Sequence, residues 1–213
     1  MVKLNRGSKT LTNLSKTSRK FKKAIQGLNV RQAYDFYLKN QNHYRYNTQE
    51  TKQEFKKINQ GRCSFCTKHI LEFDKEMTVE HIRIKRDYPK KIFVWTNLLC
   101  SCHTCNTQRG VKPFDKNKYL DPTKVEDIEK YFTYELDGEI LPSYQLTEEE
   151  KEKAQYMIEL YDLNRPTLKC ERRKFMKDLM SNDEFYNCLK QMGNNSPNII
   201  FLSLFTYYKG VYN

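Results

Sequence analysis

Two Cys-x-x-Cys pairs constrain this chain more than any other feature. Cys63-Ser-Phe-Cys66 and Cys102-His-Thr-Cys105 are separated by 35 residues, and each pair offers two thiolates at the spacing a tetrahedral zinc site takes. The total of seven cysteines is odd. Four of them in two matched pairs argue for structural zinc in a reducing compartment, the cytoplasm, rather than for a disulfide frame. Spacing alone does not close the ligand set. Cys100 and His103 flank the second pair and His69 lies three residues past Cys66, so each is an alternative ligand, with Cys102 and Cys105 the better pair.

Charge is distributed as unevenly as the cysteines. The net charge is +12, from 38 Lys+Arg and 26 Asp+Glu. Residues 1–60 hold 14 basic and 3 acidic side chains, residues 61–120 hold 12 and 6, and residues 121–213 hold 12 and 17. A basic front half is an electrostatic footprint for a polyanion, above all nucleic acid, because neutralised phosphates release counterions. The first 34 residues carry nine Lys/Arg and no acid, which imitates a transit peptide but reads better as a phosphate-contacting arm or support helix. The longest nearly apolar run, Ile199 to Phe205, is far short of the roughly 20 residues of a bilayer span, so no membrane segment is expected.

At 213 residues the chain matches one large or two small domains. It divides into a basic helical segment (1–60), a cysteine-bounded core (61–120), and a hairpin with a mostly helical extension (121–213) suited to docking a partner. Asn47-Thr48-Gln49-Glu50 predicts a capping box and a helix running to Gly61. Strands are expected over Glu76 to Ile84, at Ile92 to Trp95 and over Asn97 to Cys102, with a short helix from Thr104 to Arg109 stopped by Gly110. Lys130 to Leu136 and Glu139 to Leu141 flank Asp137-Gly138 as a hairpin. Thr147-Glu148-Glu149-Glu150 is a capping box whose helix buries Ala154, Met157, Ile158 and Tyr161. Residues 170–192 read as helical, with Phe175, Met176, Leu179 and Met180 as the buried face.

Inside the cysteine-bounded span lie Val79-Glu80-His81, then Asn97, then Asn106 directly after the last cysteine. This arrangement resembles the HNH endonuclease motif, in its four-cysteine zinc subclass and HNN variant. The likeness extends along the chain through Met1 to Gly7, Tyr88-Pro89, Trp95-Thr-Asn97, Asp121-Pro122, Tyr131-Phe132 and Leu163-Asn164-Arg165. Together these are similar to the PtuB-like HNH nucleases of Septu-type and retron-linked antiphage defence. The resemblance implies an α+β fold with a ββα-metal (His-Me finger) core. It also implies an ATPase partner of the ABC or SMC type (PtuA-like), and a retron reverse transcriptase with its DNA-RNA product as a further one. Glu80 stands where Asp is commonest and Asn106 where His is, which leaves a neutral oxygen ligand at the second position.

Residue chemistry assigns roles within that motif. His81 is the side chain whose unperturbed pKa lies nearest neutrality and is expected to act as general base. Glu80 and Asn106 offer hard oxygens for magnesium or manganese. Strand alternation points Glu80 away from His81, so a bend or bulge is expected to re-aim one of them. Asn97 is expected to bridge backbone groups of the intervening loop and so fix His81. Arg109, three residues after Asn106, and Lys85 are the phosphate-binding candidates, with Arg83 and Arg86 weaker ones. DNA is the favoured substrate, with RNA and tRNA open. The competing reading is a non-catalytic zinc module that binds nucleic acid, or an adaptor.

Overall fold

The computed structural model describes residues 1–6, 11–193, 196 and 199–211; Gly7 of the opening motif lies outside them. Helix α1 (Thr12–Ala24) has no side-chain cap of its own. Its first amides are met by the Glu50 carboxylate, which accepts from the backbone N–H of Thr12 at 3.0 Å and of Asn13 at 3.2 Å. The sequence pattern instead predicts that this carboxylate closes a capping box with Asn47. Because α1 takes it, helix α3 (Gln49–Asn59) is capped one residue later by Thr48, which accepts from Thr51 N. Between them α2 (Val30–Lys39) starts with a reciprocal Asn29–Gln32 capping box.

Helix α1 buries Leu14 and Phe21 and exposes Lys16, Arg19, Lys20 and Lys23. Phe21 meets Phe93 with ring centroids 5.0 Å apart, and Tyr37, Tyr44 and Tyr46 complete a cage around the same ring. The basic segment is thereby pinned to the loop that follows the first strand.

After α4 (Phe73–Glu76), strands β1 (Met77–His81) and β2 (Leu98–Cys102) pair antiparallel from Met77↔Cys102 to His81↔Leu98. Helix α5 (His103–Arg109) follows β2 directly, with Cys102 as its N-cap. The strand expected at Ile92–Trp95 is absent. Pro89 opens a 3-10 turn (Pro89–Lys91), and a second covers Trp95–Asn97. The backbone donors are spent locally, Ile92 N to Pro89 O at 3.2 Å and Val94 N to Lys91 O at 3.2 Å, so no ladder can form. Ile92 and Phe93 are apolar because they plug the core, at 0 and 2 % exposure.

The second hairpin is shorter than expected: β3 (Phe132–Tyr134) pairs with β4 (Ile140–Pro142), while Lys130 and Tyr131 belong to a 3-10 turn. Gly138 in its bend has φ +88°, and a Cβ there would lie 2.2 Å from Lys169 O, so only glycine lets the bend close on the helix behind it. Helix α6 (Glu148–Leu160) has the expected Thr147–Glu150 capping box and buries Ala154, Met157 and Ile158. The segment expected to be helical over 170–192 is so, as two helices, α7 (Pro166–Ser181) and α8 (Asp183–Met192). Asn182 interrupts them, its side chain accepting from Phe185 N at 2.8 Å. Phe175, Met176 and Leu179 are buried, whereas Met180 is 45 % exposed. Helix α9 (Leu202–Val211) ends the described chain. Among the described residues no helix is long and apolar enough to cross a membrane.

Candidate functional site

The four paired cysteines converge. The sulfurs of Cys63, Cys66, Cys102 and Cys105 all lie within 4.8 Å of one another, and Cys66 and Cys102 are 4.0 Å apart. Zinc bound tetrahedrally at about 2.3 Å from each sulfur sets sulfur–sulfur separations of about 3.8 Å, so the cluster fits a zinc ion. Four thiols packed this tightly cannot all ionise unaided. Contact with Cys102 pushes the thiols of Cys66 and Cys105 well up, and burial would do the same to Cys63 but for the bonds from its three neighbours, which hold it well down.

None of the alternative ligands joins the cluster. The Cys100 thiol is buried against Arg62 O at 3.5 Å, His103 is exposed on the first turn of α5, and His69 lies beside Gly61. Phe65, inside the first knuckle, stacks on Tyr161 with centroids 3.6 Å apart, which ties the knuckle to the end of α6.

Glu80 and His81 stay in regular register, opposite Leu99 and Leu98. The expected bulge does not occur, and alternation turns the two side chains to different neighbours. Glu80 is 6 % exposed and faces Arg109, whose Nε lies 4.0 Å from its Oε1. Burial raises the Glu80 carboxyl to about 8, against the opposing pull of Arg109 and Lys85. Arg109 does not reach outward to a phosphate as predicted. It falls on the packed face of α5, fully buried, and its guanidinium donates to the carbonyls of Lys112 and Ile82. One turn earlier Asn106 is half-buried.

His81 is 4 % exposed and lies against the loop instead. Its Nε2 is 3.0 Å from Ile92 O, and the Tyr46 ring meets it edge-on at 4.6 Å. A carbonyl only accepts, so Nε2 carries the proton and the Nδ1 lone pair is free in the neutral ring. Burial, with the Lys85 charge adding to it, lowers the imidazole to about 3. The loop supplying Ile92 is clamped by Asn97: its Oδ1 accepts from Arg83 N at 2.9 Å, and its Nδ2 donates to Arg83 O and Lys91 O, each at 3.1 Å. Lys85 sits over the rings of Tyr37 and Tyr46 and donates to the Tyr46 hydroxyl at 3.1 Å.

Several arginines that count toward the polyanion footprint are spent internally. Arg6 lies over the Trp95 ring and donates to the carbonyls of Trp95 and Leu98; Arg62 bonds the carbonyls of Ser196 and Ile199; Arg172 bonds those of Gly138 and Leu163. The guanidinium fork suits paired carbonyls, a distinction from lysine that composition alone does not register.

The class these features define is a two-stranded hairpin and following helix, with a four-cysteine cluster that could hold a metal ion tying the Cys63–Cys66 knuckle to the end of β2 and the start of α5. Two curated proteins are similar to the chain. One is the Septu protein PtuB of Bacillus thuringiensis, 34 % identical over 86 residues, which cover 39 % of this chain and 34 % of that one. The other, from Vibrio cholerae serotype O1 biovar El Tor, is named "Retron Vc95 putative HNH endonuclease" and is 31 % identical over 124 residues, 55 % of this chain and 59 % of that one. The chain thus spans about a third and about three fifths of these relatives. No protein-family model matches it. Its similarity is to PtuB-like HNH proteins of antiphage systems, in agreement with the resemblance read from its motifs.

Proposed function

We propose that β1, β2 and α5 are the ββα-metal core of an HNH endonuclease that hydrolyses phosphodiester bonds in nucleic acid. The observation that carries this reading is the setting of His81: neutral, with Nε2 tied to Ile92 O and Nδ1 left as a base, on a loop clamped by Asn97.

In this mechanism His81 Nδ1 takes a proton from the attacking water as oxygen adds to phosphorus and the bond to the leaving oxygen breaks. Asn97 is a positioning residue, holding Ile92 O where it fixes the ring. Glu80 and Asn106 would hold magnesium or manganese, which supplies charge neutralisation at the phosphate. Lys85 lies near enough to act on both Glu80 and His81 and would add a cation for the phosphate. Arg109, with Nε 4.0 Å from Glu80 Oε1, is turned to that carboxyl rather than to substrate.

The names of the two relatives support a place in antiphage defence. The motif resemblance implies work with an ABC- or SMC-type ATPase in the cytoplasm, and the acidic segment 121–213 is the docking region we assign to it. A retron reverse transcriptase with its DNA-RNA product is a further partner. DNA is the favoured substrate and tRNA the next. The test is incubation of the purified protein with duplex DNA, single-stranded DNA and tRNA, with and without magnesium, and with and without the ATPase. Metal-dependent loss of one substrate is expected. Salt-sensitive binding with no product under any condition would instead favour a zinc-stabilised binding module.

A further inference from the structure

Beside the Asn97 clamp lies an open cavity of about 390 Å³ to which the mechanism assigns nothing. Its wall combines Arg83, Lys91, Lys116, Phe114, Asn97 and Asp121. With Lys124 it holds four cations to one carboxylate. That carboxylate is already engaged: Asp121 accepts from Thr123 N at 3.0 Å and from its hydroxyl at 2.7 Å, and faces Lys124 at 3.7 Å.

The cations are differently placed. Among the described residues Arg83, Lys91 and Lys116 pair with no acid, whereas Lys130, Lys151, Lys153 and Lys169 each do. Arg83 is also held in orientation. Its guanidinium lies 5.4 Å from the Tyr88 ring centre and 5.6 Å from that of Phe114. A guanidinium packed on rings keeps its edge donors available for a phosphate, and Phe114 and Tyr119, tilted against each other with centroids 5.4 Å apart, put aromatic rings next to it.

We propose that this cavity binds a phosphate ester, a nucleotide unit whose phosphate sits on Arg83, Lys91 and Lys116 and whose base lies against Phe114. Arg83 and Lys91 are the two residues whose backbones the Asn97 side chain ties together. Occupancy therefore bears on the loop that orients His81. The phosphate comes either from the substrate strand next to the scissile bond or from a free mononucleotide. The first source extends the nuclease reading, and binding alone tests it.

The experiment uses the whole protein without magnesium or manganese, so that no strand is cut. Fluorescence anisotropy follows a short labelled single strand, and thermal shift follows AMP and inorganic phosphate, for the parent, Arg83→Gln and Lys116→Gln. Lys116 is exposed, so its substitution keeps the test open if Arg83→Gln misfolds. Strand affinity falling about tenfold, with a salt slope shallower by about 0.7 for each phosphate no longer neutralised, places the substrate strand in the cavity. Protection by AMP that both variants lose, with strand affinity unchanged, assigns the cavity to a free nucleotide. Unchanged strand binding together with equal AMP and phosphate responses in all three proteins overturns the proposal. A chain that cuts normally while giving that result rejects the cavity alone; one that binds through it and never cuts rejects only the nuclease reading.

Discussion

Both terminal nitrogens of Arg165 lie 3.8 Å from Sγ of Cys105. A zinc ion with four thiolates carries net negative charge, and this guanidinium, anchored also on Asp162 O at 3.1 Å, would offset it from the N-terminal end of α7. Partners of this kind orient ligands and tune affinity. Arg165→Gln is therefore expected to release zinc to a chromophoric chelator about tenfold more readily than the parent, with Arg165→Lys intermediate. Equal release from all three would show the interaction to be incidental.

Serine at Cys63, Cys66, Cys102 or Cys105 should each abolish stoichiometric zinc and lower the melting temperature, because metal-binding energy is folding energy in such sites. Cys100→Ala keeps the full cluster and should retain one zinc per chain, losing only buried packing. Elemental analysis beside thermal melts separates the two groups.

How much of this could be read in advance follows the range of the interactions. The cysteine cluster was legible because a thiol pair three positions apart is a local signature, and the order of β1, β2 and α5 followed from the motif between the pairs. Thr147–Glu150 was legible for the same reason. Glu50 was not: its carboxylate serves α1, 37 residues away from Asn13, a choice that depends on tertiary packing. Ile92–Phe93 looks like a strand because burial selects apolar residues in loop plugs as well as in sheets. Arg109 reads as solvent-facing because spacing on a helix gives a face but not what covers it.

Glu80 makes stability depend on pH. Burial raises its folded-state value from 4.5 to about 8, so the folded chain binds the extra proton between those values. Its contribution is present at low pH and lost as pH rises through about 8. Without added magnesium, stability toward urea should fall across that window, and Glu80→Gln should flatten the slope. An unchanged slope in the variant would place the titration elsewhere.

Asn97→Asp keeps the acceptor for Arg83 N but loses both donations to Arg83 O and Lys91 O. Loss of two buried hydrogen bonds costs about 2 kcal/mol, and the carbonyls left behind repel the new carboxylate. Stability should drop by at least that amount and amide exchange across residues 82–97 should quicken, with zinc content unchanged. Protection equal to the parent would remove Asn97 from the positioning of His81.

The central claim is that His81 is the general base of a metal-dependent nuclease, and single-turnover cleavage by His81→Ala beside the parent tests it most directly. Zinc content and far-ultraviolet circular dichroism should match. On the substrate the parent cuts, the variant is predicted to be slower by a factor of about a hundred or more. A folded, zinc-loaded variant that cuts at the parent's rate would contradict the account.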